Sequence, residues 1–170
     1  MSPLLYELNT EECIRLLASG GVGRLAFRGP AGQEIVPVNF TLLGDAIVCR
    51  TSPCSELGWD GPGTEAAFES DGLDPGQKSG WSVVARGWLQ VVDNQAEAAA
   101  IKLAADPKPW AGGVRHLYLK LVWRELTGRR IESTSSTLPA APLVGGRQLP
   151  LGPTQNTARR ARRTGQPPRW

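Results

Sequence analysis

The sequence predicts a mainly β protein: a small barrel of six to seven antiparallel strands carrying two or three short helices. Three observations point there. Apolar runs of five to seven residues recur between turn-rich segments across residues 22–51. A longer run, GWSVVARGWLQVV at 80–92, is interrupted once by Gly87, the bulge or bend that barrel curvature calls for. Helical signals are confined to two stretches, 9–21 and 94–106.

Taken in order, NTEECIRLLASGG opens with a cap at Asn9 or Thr10 and an acid at Glu12. It places Cys13, Ile14, Leu16 and Leu17 on an apolar face and stops at Gly20-Gly21, so it predicts one short amphipathic helix. VGRLAF, EIVPVNF and AIVCRT, separated by GPAG and LLGD, predict three strands in a meander. TEAAFES predicts a fourth strand and GWSVVARGWLQVV a fifth. NQAEAAAIKLAAD predicts a helix from its alanine and leucine content, ending before Pro107. VRHLYLKLVWRELTGRRI closes the body with one or two further strands. From Ser133 the chain turns rich in Pro, Gly, Ser and Thr without period, which predicts a split into a domain at 1–132 and a flexible extension at 133–170.

Length and composition agree with one domain, since 170 residues at 41% hydrophobic content suffice for a single core. No apolar stretch is long enough for a membrane span and the N-terminus carries no basic region followed by an apolar block, so the expected location is the cytoplasm. Net charge is uneven. Residues 1–132 hold 13 basic against 16 acidic residues, whereas 133–170 hold six arginines and no acid. The basic tail is therefore where an acidic partner or nucleic acid would bind.

Three cysteines and one histidine in no ligand-like spacing predict no metal site. Cys13 and Cys49 read as buried thiols, and Cys54 as a more exposed one lacking the base that a nucleophile needs.

The stretch RTSPCSEL, residues 50–57, carries the clearest chemistry. Arg50 offers a forked, permanently charged donor, and Thr51, Ser52 and Ser55 offer three hydroxyls within reach of one anion. Glu56 then stands where a cation would complete an anion grip, although it also suits the first turn of a short helix.

The ordered set EECIRLLASGGVGRLAF, IVPVNF, AIVCRTSPCSEL, SGWSVVARGWLQVV, KPWAGG and ELTGRRI resembles the pyridoxamine 5′-phosphate oxidase-like FMN-binding split-barrel family, and within it a small actinobacterial-type branch. The resemblance covers residues 1–132. It implies a split β-barrel homodimer with FMN held between subunits. It also implies an oxidoreductase acting on a small organic molecule, with deazaflavin or haem as less favoured cofactors.

Carried over residue by residue, it implies that Val36, Pro37, Val38 and Asn39 lie beside the flavin ring. Arg50, Thr51, Ser52 and Ser55 would hold the ribityl and phosphate groups, and Trp81, Ser82 and Trp110 would lie near the ring, Trp81 and Ser82 reaching it from the second subunit. Arg129 and Arg130 match a further family segment, and His116 is the one side chain that haem could use. Trp59, Trp88 and Trp123 match no site and are assigned to packing or a dimer interface. Relatives carry Gly-Ser/Thr-Lys-Leu where this chain reads Cys54-Ser55-Glu56-Leu57. Unit charges about 4 Å apart interact by roughly 4 kcal/mol at an effective dielectric near 20. Screened to about 1–3 kcal/mol, the exchange of lysine for glutamate predicts affinity weakened ten- to a hundredfold. The competing reading is a barrel that has lost its cofactor and acts in binding or assembly through its tail.

Overall fold

The computed structural model describes residues 4–133 and 148–149. The elements run β1 (Leu4–Leu8), α1 (Thr10–Ala18), β2 (Gly21–Gly29), β3 (Gly32–Leu43), β4 (Ala46–Thr51), α2 (Glu56–Asp60), β5 (Glu65–Asp74), β6 (Ser79–Val91), α3 (Gln95–Ala105), β7 (Leu117–Glu132) and β8 (Gln148–Leu149). Strands pair in the order β4-β3-β2-β5-β6-β7, and β7 returns to β4 to close an antiparallel ring. β1 lies against β7 outside that ring, and β8 against β1.

Most predicted elements stand where the sequence placed them. Asn9 caps α1 through a reciprocal box: its Oδ1 accepts from the Glu12 amide at 2.9 Å, and Glu12 Oε2 accepts from the Asn9 amide at 3.0 Å. The β2–β4 meander is present, and the closing segment is one 16-residue strand rather than two. Three elements were not foreseen as strands or helices in their own right: β1, α2 and the two-residue β8. β1 precedes the predicted first helix, and its partner is the far end of β7, which no local pattern announces. The five-residue α2 is the short helix in whose first turn Glu56 was an alternative reading. The expectations for 134–147 and 150–170, including the basic tail's partner, lie outside the described residues.

β7 does two jobs. One edge pairs with β6 along nearly its full length, from Gly80↔Ile131 to Val91↔Leu119. The other edge pairs with β4 over Leu117–Val122 and with β1 over Gly128–Glu132. The register of β6 against β7 shifts between Arg86 and Gly87. A Cβ on Gly87 would lie 2.0 Å from the Val122 carbonyl oxygen, so only glycine allows the two backbones to approach this closely at the bulge.

β2 alternates in burial, sending Leu25 and Phe27 inward. They join Phe68, Leu89, Leu119 and Leu121, and Phe40 meets Phe68 edge-on with ring centroids 4.7 Å apart. α1 contributes the fully buried Cys13 and Leu17 to this core. β4 is buried on both faces because α3 covers its outer side. There Ile101 packs with Val48 and Val92, with Tyr118 against their edge. Lys120 donates to Glu97 at 2.6 Å and pins α3 to β7. No described helix is long and apolar enough to cross a membrane.

The Gly87 contact generates a prediction. Gly87→Ala forces a Cβ against backbone that cannot swing aside, and is expected to destabilise by about 1–3 kcal/mol. Thermal unfolding checks it: a Tm equal to that of the native sequence would show that the bulge does not depend on glycine.

Candidate functional site

The strand pairing leaves a gap. β3 pairs with β2 from Gly32 to Phe40, but with β4 only from Phe40 to Leu43. Among the described residues the other edge of Gln33–Asn39 therefore has no strand neighbour, and its backbone donors and acceptors are open to a ligand. Pro37 sits in this stretch, where a missing N–H disturbs no ladder on the open side. A groove of about 190 Å³ lies here. Its walls are Val36–Asn39 of β3, Arg50 and Thr51 of β4, Ser55–Leu57 at the start of α2, and Pro109, Ala111 and Arg115 from the segment joining α3 to β7.

Arg50 is held rigidly at one end of the groove. Its Nε donates to the Arg115 carbonyl oxygen at 2.9 Å, and its Nη1 to both carboxylate oxygens of Asp106 at 3.2 and 3.3 Å. The guanidinium lies 5.2 Å from the centre of the Tyr118 ring, and Tyr118 Oη donates to Asp106 Oδ1 at 2.8 Å. Burial, then the bond to Asp106, pushes the Tyr118 phenol above its ordinary pKa, so it remains a protonated donor. Asp106 caps the C-terminal end of α3, so that helix aims the arginine. The Nη2 group of Arg50 is left for a ligand.

The hydroxyls are less available than the sequence implied. Ser55 Oγ donates to the Ser52 carbonyl oxygen at 2.7 Å and accepts from the Gly58 amide at 3.1 Å, capping α2. Its single proton being used, the 2.8 Å contact with Thr51 must be donated by Thr51 Oγ1. Both protons are thus engaged inside the loop. Ser52 does not line the groove, and its Oγ accepts from the Cys54 amide at 3.3 Å. Glu56 does line it and is exposed.

The remaining predicted residues fall into two places. Trp110 stands next to the groove without lining it: its amide donates to Asn39 Oδ1 at 2.9 Å, and the residue is 83% exposed between the lining residues Pro109 and Ala111. Trp81 and Ser82 lie elsewhere, on β6 opposite Arg130 and Arg129 of β7, and Trp81 packs partly against the core. Ser82 and Arg129 line a second, polar groove with Arg86, Thr127 and Gly128. One chain therefore does not bring all the predicted residues together. His116 is exposed at the end of the segment before β7. Trp59, assigned to packing or an interface, is not in the core, being 81% exposed, while Trp123 packs against it.

Arg115 is the charged groove residue that sequence reasoning missed, along with the wall positions Leu57, Pro109 and Ala111. Its signal is faint: a single cation after a glycine-rich turn, shortly before a strand. Among the described residues no group of histidine, cysteine and acidic side chains could hold a metal.

Residues 9–130 match the sequence profile of the family described as pyridoxamine 5′-phosphate oxidase. The chain belongs to that family. An uncharacterized protein of Mycobacterium tuberculosis, Rv0080, is 30% identical to this family member over 138 residues, spanning 78% of this chain and 90% of its own. The structure of an FAD-binding protein from Mycobacterium smegmatis is similar at 27% identity and a TM-score of 0.64, covering 75% of this chain and 98% of that one. A candidate pyridoxamine 5′-phosphate oxidase from Corynebacterium glutamicum is similar at 30% identity and a TM-score of 0.65, with the same coverage. An FAD- and haem-binding protein from Mycobacterium smegmatis shares the fold at 15% identity, with a TM-score of 0.58 and coverage of 92% of this chain and 93% of that one. The ring with its open β3 edge is the split barrel of this flavin-binding family.

The cysteines give a direct check on this geometry. Cys13 and Cys49 are buried and Cys54 is exposed; burial pushes the Cys49 thiol up to about 12 and raises that of Cys13. One thiol, lost in Cys54→Ser, is expected to react rapidly with a thiol reagent in the native protein, and three after denaturation. Fast labelling of a second native thiol would contradict the closed core.

Proposed function

We propose that this protein is a homodimeric flavoprotein that binds FMN and oxidises or reduces a small organic molecule. The carrying observation is the groove in which the unpaired backbone edge of Val36–Asn39 meets two arginines, Arg50 and Arg115. An open strand edge can hydrogen-bond the rim of a flat heterocycle, and guanidinium groups suit its phosphate. Family membership and the FAD-binding neighbour support the same ligand class.

The residues present fit a flavin nucleotide, with a change in emphasis from the sequence reading. Val36–Asn39 would hold the ring and Arg50 Nη2 the phosphate, with Trp110 as an apolar wall at the mouth. Thr51 and Ser55 would have to break their bonds within the loop to donate. Bound flavin supplies the hydride and electron chemistry. The chain binds it, orients it and shields it from water.

Two features support a dimer. The groove is smaller than the roughly 300–1,000 Å³ of a typical small-molecule site, so a second surface is needed to enclose a flavin. The Trp81–Ser82 region, remote from the groove of its own chain, would provide that surface to the other subunit's. Trp59, Trp88 and Ile35 expose apolar area suited to such an interface.

Purified protein is expected to show a flavin absorption spectrum, or to bind added FMN with a Kd of about micromolar or tighter. Arg50→Ala should weaken FMN binding ten- to a hundredfold. Light scattering should give twice the chain mass. A monomer that leaves FMN and FAD unbound at high concentration would rule this reading out. If Glu56→Lys alone then bound flavin, the cofactor would have been lost at that loop.

A further inference from the structure

We propose that Arg115 binds the flavin phosphate in the groove together with Arg50; this rests on the flavin-nucleotide reading above. Two arginines line the groove, but their charges are not equivalent. Arg50 lies against the Asp106 carboxylate, which receives two of its contacts and balances its charge. Arg115 makes no ion pair among the described residues. Its Nε donates to the Ala111 carbonyl oxygen at 3.3 Å, which orients the guanidinium plane and leaves its two Nη groups for a ligand. Its side chain is half-buried, so an anion there would be less screened than at a freely exposed arginine.

The two arginines are also one unit. The Arg115 carbonyl oxygen holds Arg50 Nε at 2.9 Å, so the backbone that presents Arg115 fixes Arg50. The hydroxyl protons of Thr51 and Ser55 are engaged within the loop, and Glu56 adds a negative charge to the same wall. The cation in the groove without an ion-pair partner among the described residues is Arg115. A cation is thereby supplied to the groove from the segment before β7, in a wall that also carries Glu56.

The test titrates native protein, Arg115→Ala, Arg115→Lys and the double variant Arg115→Ala/Glu56→Lys with riboflavin, FMN and FAD, followed by flavin fluorescence. Arg115→Ala is expected to lose ten- to a hundredfold in affinity for FMN and FAD with riboflavin unchanged. Arg115→Lys should lose less, and Glu56→Lys should restore part of the loss. Loss confined to FAD would assign Arg115 to the outer phosphate of a dinucleotide, and loss shared with FMN to the phosphate next to the ribityl chain. Affinity unchanged for both FMN and FAD in Arg115→Ala, or an equal loss for riboflavin, would overturn the proposal, the latter pointing to loop structure instead. If the native protein binds no flavin, the flavin reading fails and inorganic pyrophosphate decides Arg115 separately. A Tm rise with pyrophosphate that disappears in Arg115→Ala upholds an anion site, and no rise in the native protein overturns it.

Discussion

β7 pairs with β4 through its first residues and with β1 through its last, while β6 runs along its other edge. Closing the ring at Thr51↔Leu117 fixes the end of β4 and hence the starting point of the loop that carries Thr51, Ser55 and Glu56. A strand of 16 residues cannot follow the curvature of a small ring without a break in register. The Arg86–Gly87 shift supplies that break, at a point where the two backbones leave no room for a side chain. Without the β4–β7 pairing there would be a curved sheet with exposed edges and no enclosed core.

The same closure creates the opening. Because β4 is only six residues long and is pulled toward β7, it keeps β3 as a neighbour for four register pairs and then departs. The rest of β3 has one satisfied edge and one open edge. Open strand edges ordinarily invite aggregation, and here Pro37 and the segment after α3 shield the edge while leaving a narrow groove. α3 does more than cover the outside of β4, since its capping residue Asp106 is the group that orients Arg50 and Tyr118.

Charge around the groove is distributed rather than concentrated. Arg50, Arg115 and Glu56 line the groove and Asp106 pairs with Arg50 behind it, so cations and anions are equal in number there before any ligand arrives. Such a wall would hold a phosphate more weakly than one built on a lysine in place of Glu56. The loop hydroxyls serve first to cap α2 and join Ser52, Thr51 and Ser55 into one unit, a structural use that their residue types alone do not distinguish from anion binding.

Local chemistry in the sequence was enough for most elements whose determinants are close together in the chain, the five-residue α2 excepted. The capping box of α1, the β2–β4 meander, the glycine bulge of β6 and the alanine-rich α3 are each set by residues within a few positions of one another. So are the buried fates of Cys13 and Cys49. The order of these signals also carried the family. Tertiary structure alone decided what depends on distant partners. It made LLYEL a strand, because its partner lies at the other end of the body. It turned the hydroxyls of RTSPCSEL inward, tied Arg50 to Asp106, and brought Arg115 to the groove from the segment before β7. Hydrogen-bond saturation and charge pairing are set by the three-dimensional neighbours of a group, so a residue's type gives its capacity to bind a ligand but not how much of that capacity remains free.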